Sequence, residues 1–202
     1  MSTARLETFS DGVFAIAATL LILNVDTQVS DDVSGLGHRL LHIWPSYVAY
    51  AVSFVTIGII WVNHHTVLNQ LARADRAFLF QNVLFLMCVA FLPFVTRLVA
   101  EHIRDDGARA ATLVYGIDMT ATAIMFQVIW FYASVGRRLL REDADPRTIS
   151  GITRSYLPGP WIYLTATLIA IASPKASAIM YAAIALFYVA ESSLFGRREG
   201  IT

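Results

Sequence analysis

Charge is scarce in this sequence. Asp, Glu, Lys and Arg account for 15% of its 202 residues, against about 25% in a soluble globular domain. Apolar side chains make up 56% and the mean hydropathy is +0.58, so much of the chain must face something other than water. A lipid bilayer is the surrounding this composition fits. The formal net charge is zero, which offers nothing to a phosphate backbone and suggests no nucleic-acid partner. Cysteine occurs once, as Cys88 inside an apolar run. It excludes an intrachain disulfide and says nothing of redox compartment. Catalytic elements are missing too: there is no H-E-x-x-H and no G-x-S-x-G. His38 and His42, one helical turn apart, offer a metal two ligands without a third. The expectation is a protein that is not an enzyme and holds no cofactor or metal.

What is present is long apolar runs. Six segments, at about 8–25, 44–66, 77–98, 110–135, 155–173 and 176–195, are long enough to cross a bilayer as helices, some by borrowing polar residues at an end. The first reads as a retained helix rather than a cleaved leader. Glu7 and Asp11 interrupt its basic flank, and Asn24-Val25-Asp26-Thr27 offers no small-x-small site. Pro174-Lys175 leaves almost no loop between the last two, and the stretch between the fourth and fifth reads as a charged connector. No stretch is long enough for a soluble domain. The chain therefore reads as one all-α transmembrane domain over 1–202, multi-pass in the cell membrane. Ten of the 15 basic residues fall on one side if both termini are cytoplasmic, which sets the orientation. The first loop, with Asp26, Asp31 and Asp32, then faces outward.

Polar groups inside membrane helices are costly and mark function or helix contacts. Two clusters qualify: Arg5, Phe9, Ser10 and Asp11 on helix 1, and Trp61, Asn63, His64 and His65 near the end of helix 2. The orientation puts both at one membrane face, where they can meet in an interhelical polar network. Ser10-Asp11 equally suits an N-cap before the apolar helix, and for His64-His65 the spacing favours a pair at the interface. Helical geometry separates the faces of helix 1. At 100° per residue, Leu20 and Leu23 fall within about 40° of Ile16, while Asp11 lies roughly 140° away. Phe9 and Thr27 extend that stripe, and Gly12, Ala15, Ala18 and Thr19 permit close backbone approach. A pore-lining helix has this form, although an aliphatic stripe alone more often faces lipid or core. In helix 4, Asp118 either pairs with Arg109, the favoured reading, or lines a water pocket.

Arg5-x-x-x-Phe9-Ser10-Asp11, continued by Gly12-Val13-Phe14-Ala15-Ile16-Ala17-Ala18-Thr19-Leu20, resembles the signature of the transmembrane protein 175 family of potassium channels. Trp61-x-x-His64-His65 resembles that family's second-helix motif, and Asn82 with Leu92-Pro93-Phe94 resembles its third helix. The resemblance runs over all six helices and is densest in the first hundred residues. It implies a homotetramer around four copies of helix 1, passing potassium with modest selectivity over sodium and without a conventional filter. It implies a constriction at Ile16, Leu20 and Leu23, a selectivity role for Thr19, and a network of Arg5, Ser10, Asp11, Trp61 and His64 holding helix 1 in place. Asp26 and Thr27 would stand at the outer mouth, where Asp26 repeated four times would concentrate cations; a solvated loop acid suits Asp26 equally.

The conventional filter is indeed missing. Thr112-Leu113-Val114-Tyr115-Gly116 lacks the middle glycine of T-V-G-Y-G and sits inside a hydrophobic helix. No helix carries arginine at every third position, as a voltage sensor would. A secondary transporter is the rival, but such folds show paired repeats with broken helices, whereas Phe9-Ser10-Asp11 occurs once. Proton conduction, or proton-coupled transport by the same architecture, is the alternative reading.

Overall fold

The first helix starts earlier than the apolar run suggests. In the computed structural model, which describes residues 3–25 and 36–195, α1 spans Thr3–Leu20 and tightens into a 3-10 turn over Leu21–Asn24. Seven further helices follow: α2 (Leu36–His42), α3 (Trp44–Asn69), α4 (Arg76–His102), α5 (Ala108–Ser134), α6 (Pro146–Tyr156), α7 (Gly159–Ala172) and α8 (Pro174–Phe195). Ser10 and Asp11 thus lie mid-helix, which overturns the N-cap reading. The fifth span expected over 155–173 is instead two helices, because Pro158 and Pro160 remove two donors and force a new start at Gly159. The charged connector before it is itself helical. Asp145 caps α6 by accepting from the amides of Arg147 and Thr148, with Pro146 at the first position.

Among the described residues, four helices are long and apolar enough to cross a membrane: α1 with its turn, α3, α4 and α5. At 14 residues, α7 is only about 21 Å long. Large side chains such as Phe80, Met87, Ile117, Trp161, Leu168, Ile179, Leu186 and Phe187 stand uncovered around the outside, far beyond what a soluble surface carries. This is a membrane protein's exterior.

Side-chain contacts fix the directions of the helices. α1 and α4 run parallel, since Ser10 meets Asn82 and Asn24 meets Pro93. α3 runs antiparallel to both, since His64 meets Asn82 while Ser53 meets Thr96. Buried Leu6, Ser10, Phe14, Ala17 and Leu21 recur every third or fourth residue and form the face of α1 laid against α3 and α4. The same α4 backs onto α5, which in turn packs on α7 and α8. At the end where α3 gives way to α4, the two connecting turns pair. Ala72 N donates to the Leu139 carbonyl and Arg141 N to that of Gln70, with Gly136 in the left-handed region at φ 63° to make the reversal. Asp75 caps α4 there, and the Phe78 amide is the chief cause holding its carboxyl below the usual range.

Gly116 sets the spacing of α5 against the last two helices. A Cβ at this position would stand 2.6 Å from both Thr167 Oγ1 and Tyr181 Oη, and those two hydroxyls already bond each other at 3.0 Å. Neither can retreat without breaking that bond. Gly116→Ala is expected to destabilise the fold by about 1–3 kcal/mol, the usual cost of overpacking. A lowered melting temperature in detergent checks this; an unchanged one would mean the three helices are not rigidly packed there.

Candidate functional site

Three polar rungs tie the lower half of α1 to its neighbours. Trp61 Nε1 donates to Asp11 Oδ1 at 2.8 Å. One turn further down, His65 Nδ1 lies 3.1 Å from Glu7 Oε1. The two rungs step four residues in opposite senses, as antiparallel helices require. The third is buried. Asn82 Nδ2 donates to Ser10 Oγ at 3.2 Å and Asn82 Oδ1 accepts from His64 Nε2 at 2.8 Å, with Ser10, His64 and Asn82 all essentially inaccessible. His64 is held between aromatic rings, stacked on Phe85 with centroids 5.4 Å apart and tilted against Phe14 at 5.5 Å. The reading of His64-His65 as an interfacial pair therefore fails for His64 and fits His65, which is exposed. Adjacent residues on a helix point 100° apart, so only one of the two can face α4.

The structure separates other members of the expected cluster from these rungs. Arg5 is exposed and joins none of them among the described residues. Asn63 is approached instead by the Tyr156 hydroxyl, 3.5 Å from its carbonyl and its Oδ1. Phe9 lies on the open face of α1. Asp26 and Thr27 fall outside the described residues. Contacts that the sequence does not reveal are Glu7 on His65, Asn82 on Ser10 and His64, and Asn24, whose Nδ2 donates to the Pro93 carbonyl at 2.7 Å. Asn24 pins the upper end of α1 to the helix that Ser10 holds below.

The opposite face of α1 is bare. Ile16, Leu20 and Leu23 are 60%, 43% and 69% exposed, in line with Phe9. The 3-10 turn alters the wheel at its upper end, because residues three apart eclipse in that geometry and Leu23 comes to stand above Leu20. Thr19 is also exposed, its hydroxyl donating back to the carbonyls of Ala15 at 2.9 Å and Ile16 at 3.0 Å. That orientation uses up the proton and leaves oxygen lone pairs outward, where a cation or its hydration water could meet them. Nothing else on this face carries an oxygen side chain between Asp11 and Asn24.

Asp118 does not pair with Arg109. Nine residues along a helix place two side chains on opposite faces and about 13 Å apart. Asp118 is 7% exposed in the middle of α5, with its Oδ2 lacking a partner, while Arg109 is exposed at the helix start. His38 and His42 sit exposed on α2, and no group of three or more metal-ligating side chains converges among the described residues.

The chain is similar to known channel proteins. The family model for the endosomal/lysosomal potassium channel TMEM175 matches residues 5–93, the part that holds all three rungs and the bare stripe. A potassium channel of Chamaesiphon minutus is 41% identical over 193 residues, covering 95% of each chain. An endosomal/lysosomal proton channel, TMEM175 of Gallus gallus, is 33% identical over 147 residues, 68% of this chain and 29% of that protein. The crystal structure of a lysosomal potassium-selective channel TMEM175 homologue from Chamaesiphon minutus superimposes with a TM-score of 0.85 at 39% identity, covering 94% of this chain and 97% of the other.

Proposed function

The chain belongs to the TMEM175 family of ion channels, and on that premise we propose that it is a potassium-permeable cation channel whose pore is lined by α1. The observation that carries this reading is the contrast between the two faces of α1. One is fixed by hydrogen bonds at Ser10, Asp11 and Asn24; the other leaves Ile16, Leu20 and Leu23 uncovered in a single chain. Four copies around an axis cover that stripe and make Ile16, Leu20 and Leu23 the constriction, with α7 and α8 completing six spans and both termini cytoplasmic. A helix at a pore axis must be immobile on its outer side, and a chain with one copy of the motif reaches a pore by symmetric assembly.

A ring of isoleucine and leucine gives an ion no ligands, so ions cross it partly hydrated and the ring gates by dewetting. Potassium, with the weaker hydration shell, passes more readily than sodium, and Thr19 sharpens that preference through its outward lone pairs. Asp26 and Thr27 form the outer mouth. No cofactor takes part; potassium is the permeant species. Proton passage is the second reading, favoured by the relative in Gallus gallus being a proton channel.

Purified protein reconstituted into vesicles should release potassium faster than sodium down matched gradients. Absence of potassium flux above protein-free vesicles, at both neutral and acidic pH, would overturn the channel reading. A proton flux that persists while potassium flux is absent would establish the second reading instead.

A further inference from the structure

At the end of the bundle where α4 begins and α5 finishes, a crevice of about 890 Å³ opens between those two helices. Its basic groups stand at one end. Arg73, from the turn before α4, and Arg138, from the turn after α5, stand at its mouth. Arg73 Nη2 donates to the Arg138 carbonyl at 3.4 Å, and the Arg138 guanidinium lies over the Tyr132 ring at 4.7 Å. Both groups are thereby positioned with most of their N–H donors unspent. The nearby carboxylate, Asp75, is occupied by the Phe78 amide and the Tyr132 hydroxyl and does not line the crevice. Gln81 comes next, five residues into α4 and so about 8 Å deeper, its Oε1 buried without a partner. Facing it on α5, Phe131, Val128 and Ile124 make an apolar wall that starts level with Gln81 and runs deeper, with Gln127 beside it.

We propose that this crevice binds an anionic glycerophospholipid, with its phosphate on Arg73 and Arg138, an ester carbonyl on the Gln81 amide, and an acyl chain along Ile124, Val128 and Phe131. The crevice has its cationic groups at the mouth, with the amide and the apolar wall facing each other below them. The order in the lipid is phosphate, then ester, then chain. A free phosphate would satisfy only the first element and a neutral lipid chiefly the last two. The Gln81 amide is suited to the middle place, because its oxygen has no acceptor role to lose when the group turns to present its nitrogen. Basic groups at a membrane surface attract anionic headgroups, and two held in one crevice concentrate that attraction on a single site. Gln81 is also the chain neighbour of Asn82, so a lipid seated there braces the turn of α4 that grips α1.

The test is a binding measurement and stands apart from conductance. Full-length protein in detergent is mixed with equal amounts of dioleoyl phosphatidylglycerol and dioleoyl phosphatidylcholine, and retained lipid is counted by native mass spectrometry. Phosphatidylglycerol should be preferred on the order of tenfold, as expected for two basic groups at one headgroup. R73Q/R138Q should abolish the preference, and V128W, which fills the apolar wall, should lower phosphatidylglycerol retention to the same level. Both substitutions are at exposed positions, and V128W carries the test alone if the double variant does not fold. Equal retention of the two lipids by the wild type, or a preference that survives V128W, would overturn the assignment. So would displacement of phosphatidylglycerol by equimolar inorganic phosphate, which would mark a plain anion site.

Discussion

Ile16→Ala should raise single-channel potassium conductance by roughly an order of magnitude and narrow the gap between potassium and sodium. Ile16, Leu20 and Leu23 present hydrocarbon only, so the cost of passage is that of thinning the water around an ion inside an apolar ring. That cost falls steeply as the ring widens. In the proposed tetramer, truncating isoleucine to alanine acts on all four chains at once, and a barrier lowered by about 1.4 kcal/mol is already tenfold in rate. Discrimination falls with it, because a wider ring strips less water from either ion. The fold should be little affected, since the side chain is 60% exposed in the single chain and supports no other helix. Planar-bilayer recording reads the conductance, and size-exclusion chromatography checks that assembly is intact. An unchanged current would move the narrowest point to Leu20 or Leu23.

The bare stripe was legible in the sequence because it depends on one helix alone. A period of 3.6 sorts Ile16, Leu20 and Leu23 from Ser10 and Asp11 without reference to any neighbour. The partners of those residues were not legible to the same degree, because they depend on register between helices. Asp11 with Trp61 was within reach, both belonging to clusters assigned to one membrane face. Glu7 was passed over as a flank, although it lies one turn below Asp11 and faces His65, one turn beyond Trp61. Asn24 looked like the end of a helix, and only the parallel course of α4 brings it to the Pro93 carbonyl.

Other misreadings came from weighing length above local chemistry. Apolar length carried a single fifth span through Leu157-Pro158-Gly159-Pro160, where two prolines argue for a break. Similar reasoning placed the start of helix 1 at the apolar run and made Ser10-Asp11 look like a cap. Thr3 to Glu7 are polar enough to read as a tail, yet they continue the helix because Leu6 is buried and Glu7 has a partner on α3. Pairing Asp118 with Arg109 failed on simple geometry, since nine residues is two and a half turns.

Asn82→Leu should be the most damaging substitution of the network and should destabilise the protein by about 2–4 kcal/mol. Single hydrogen bonds between membrane helices average only about 0.6 kcal/mol, because the separated helices find other partners. Asn82 differs in holding two buried groups at once, accepting from His64 Nε2 and donating to Ser10 Oγ. A leucine leaves the imidazole N–H enclosed between Phe14 and Phe85 with nothing to receive it, at about 1–3 kcal/mol for an unsatisfied buried group. Ser10 loses less, since a helical serine can turn its hydroxyl to the carbonyl four residues back. The double variant H64L/N82L therefore separates the causes. It removes donor and acceptor together, and should recover a substantial part of the stability lost in N82L alone. Denaturant unfolding in detergent measures both, and the pair should be strongly non-additive. If H64L/N82L proves no more stable than N82L, the loss comes from leucine overfilling the space between α1 and α4, and the buried rung contributes packing rather than hydrogen bonding to the hold on the pore helix.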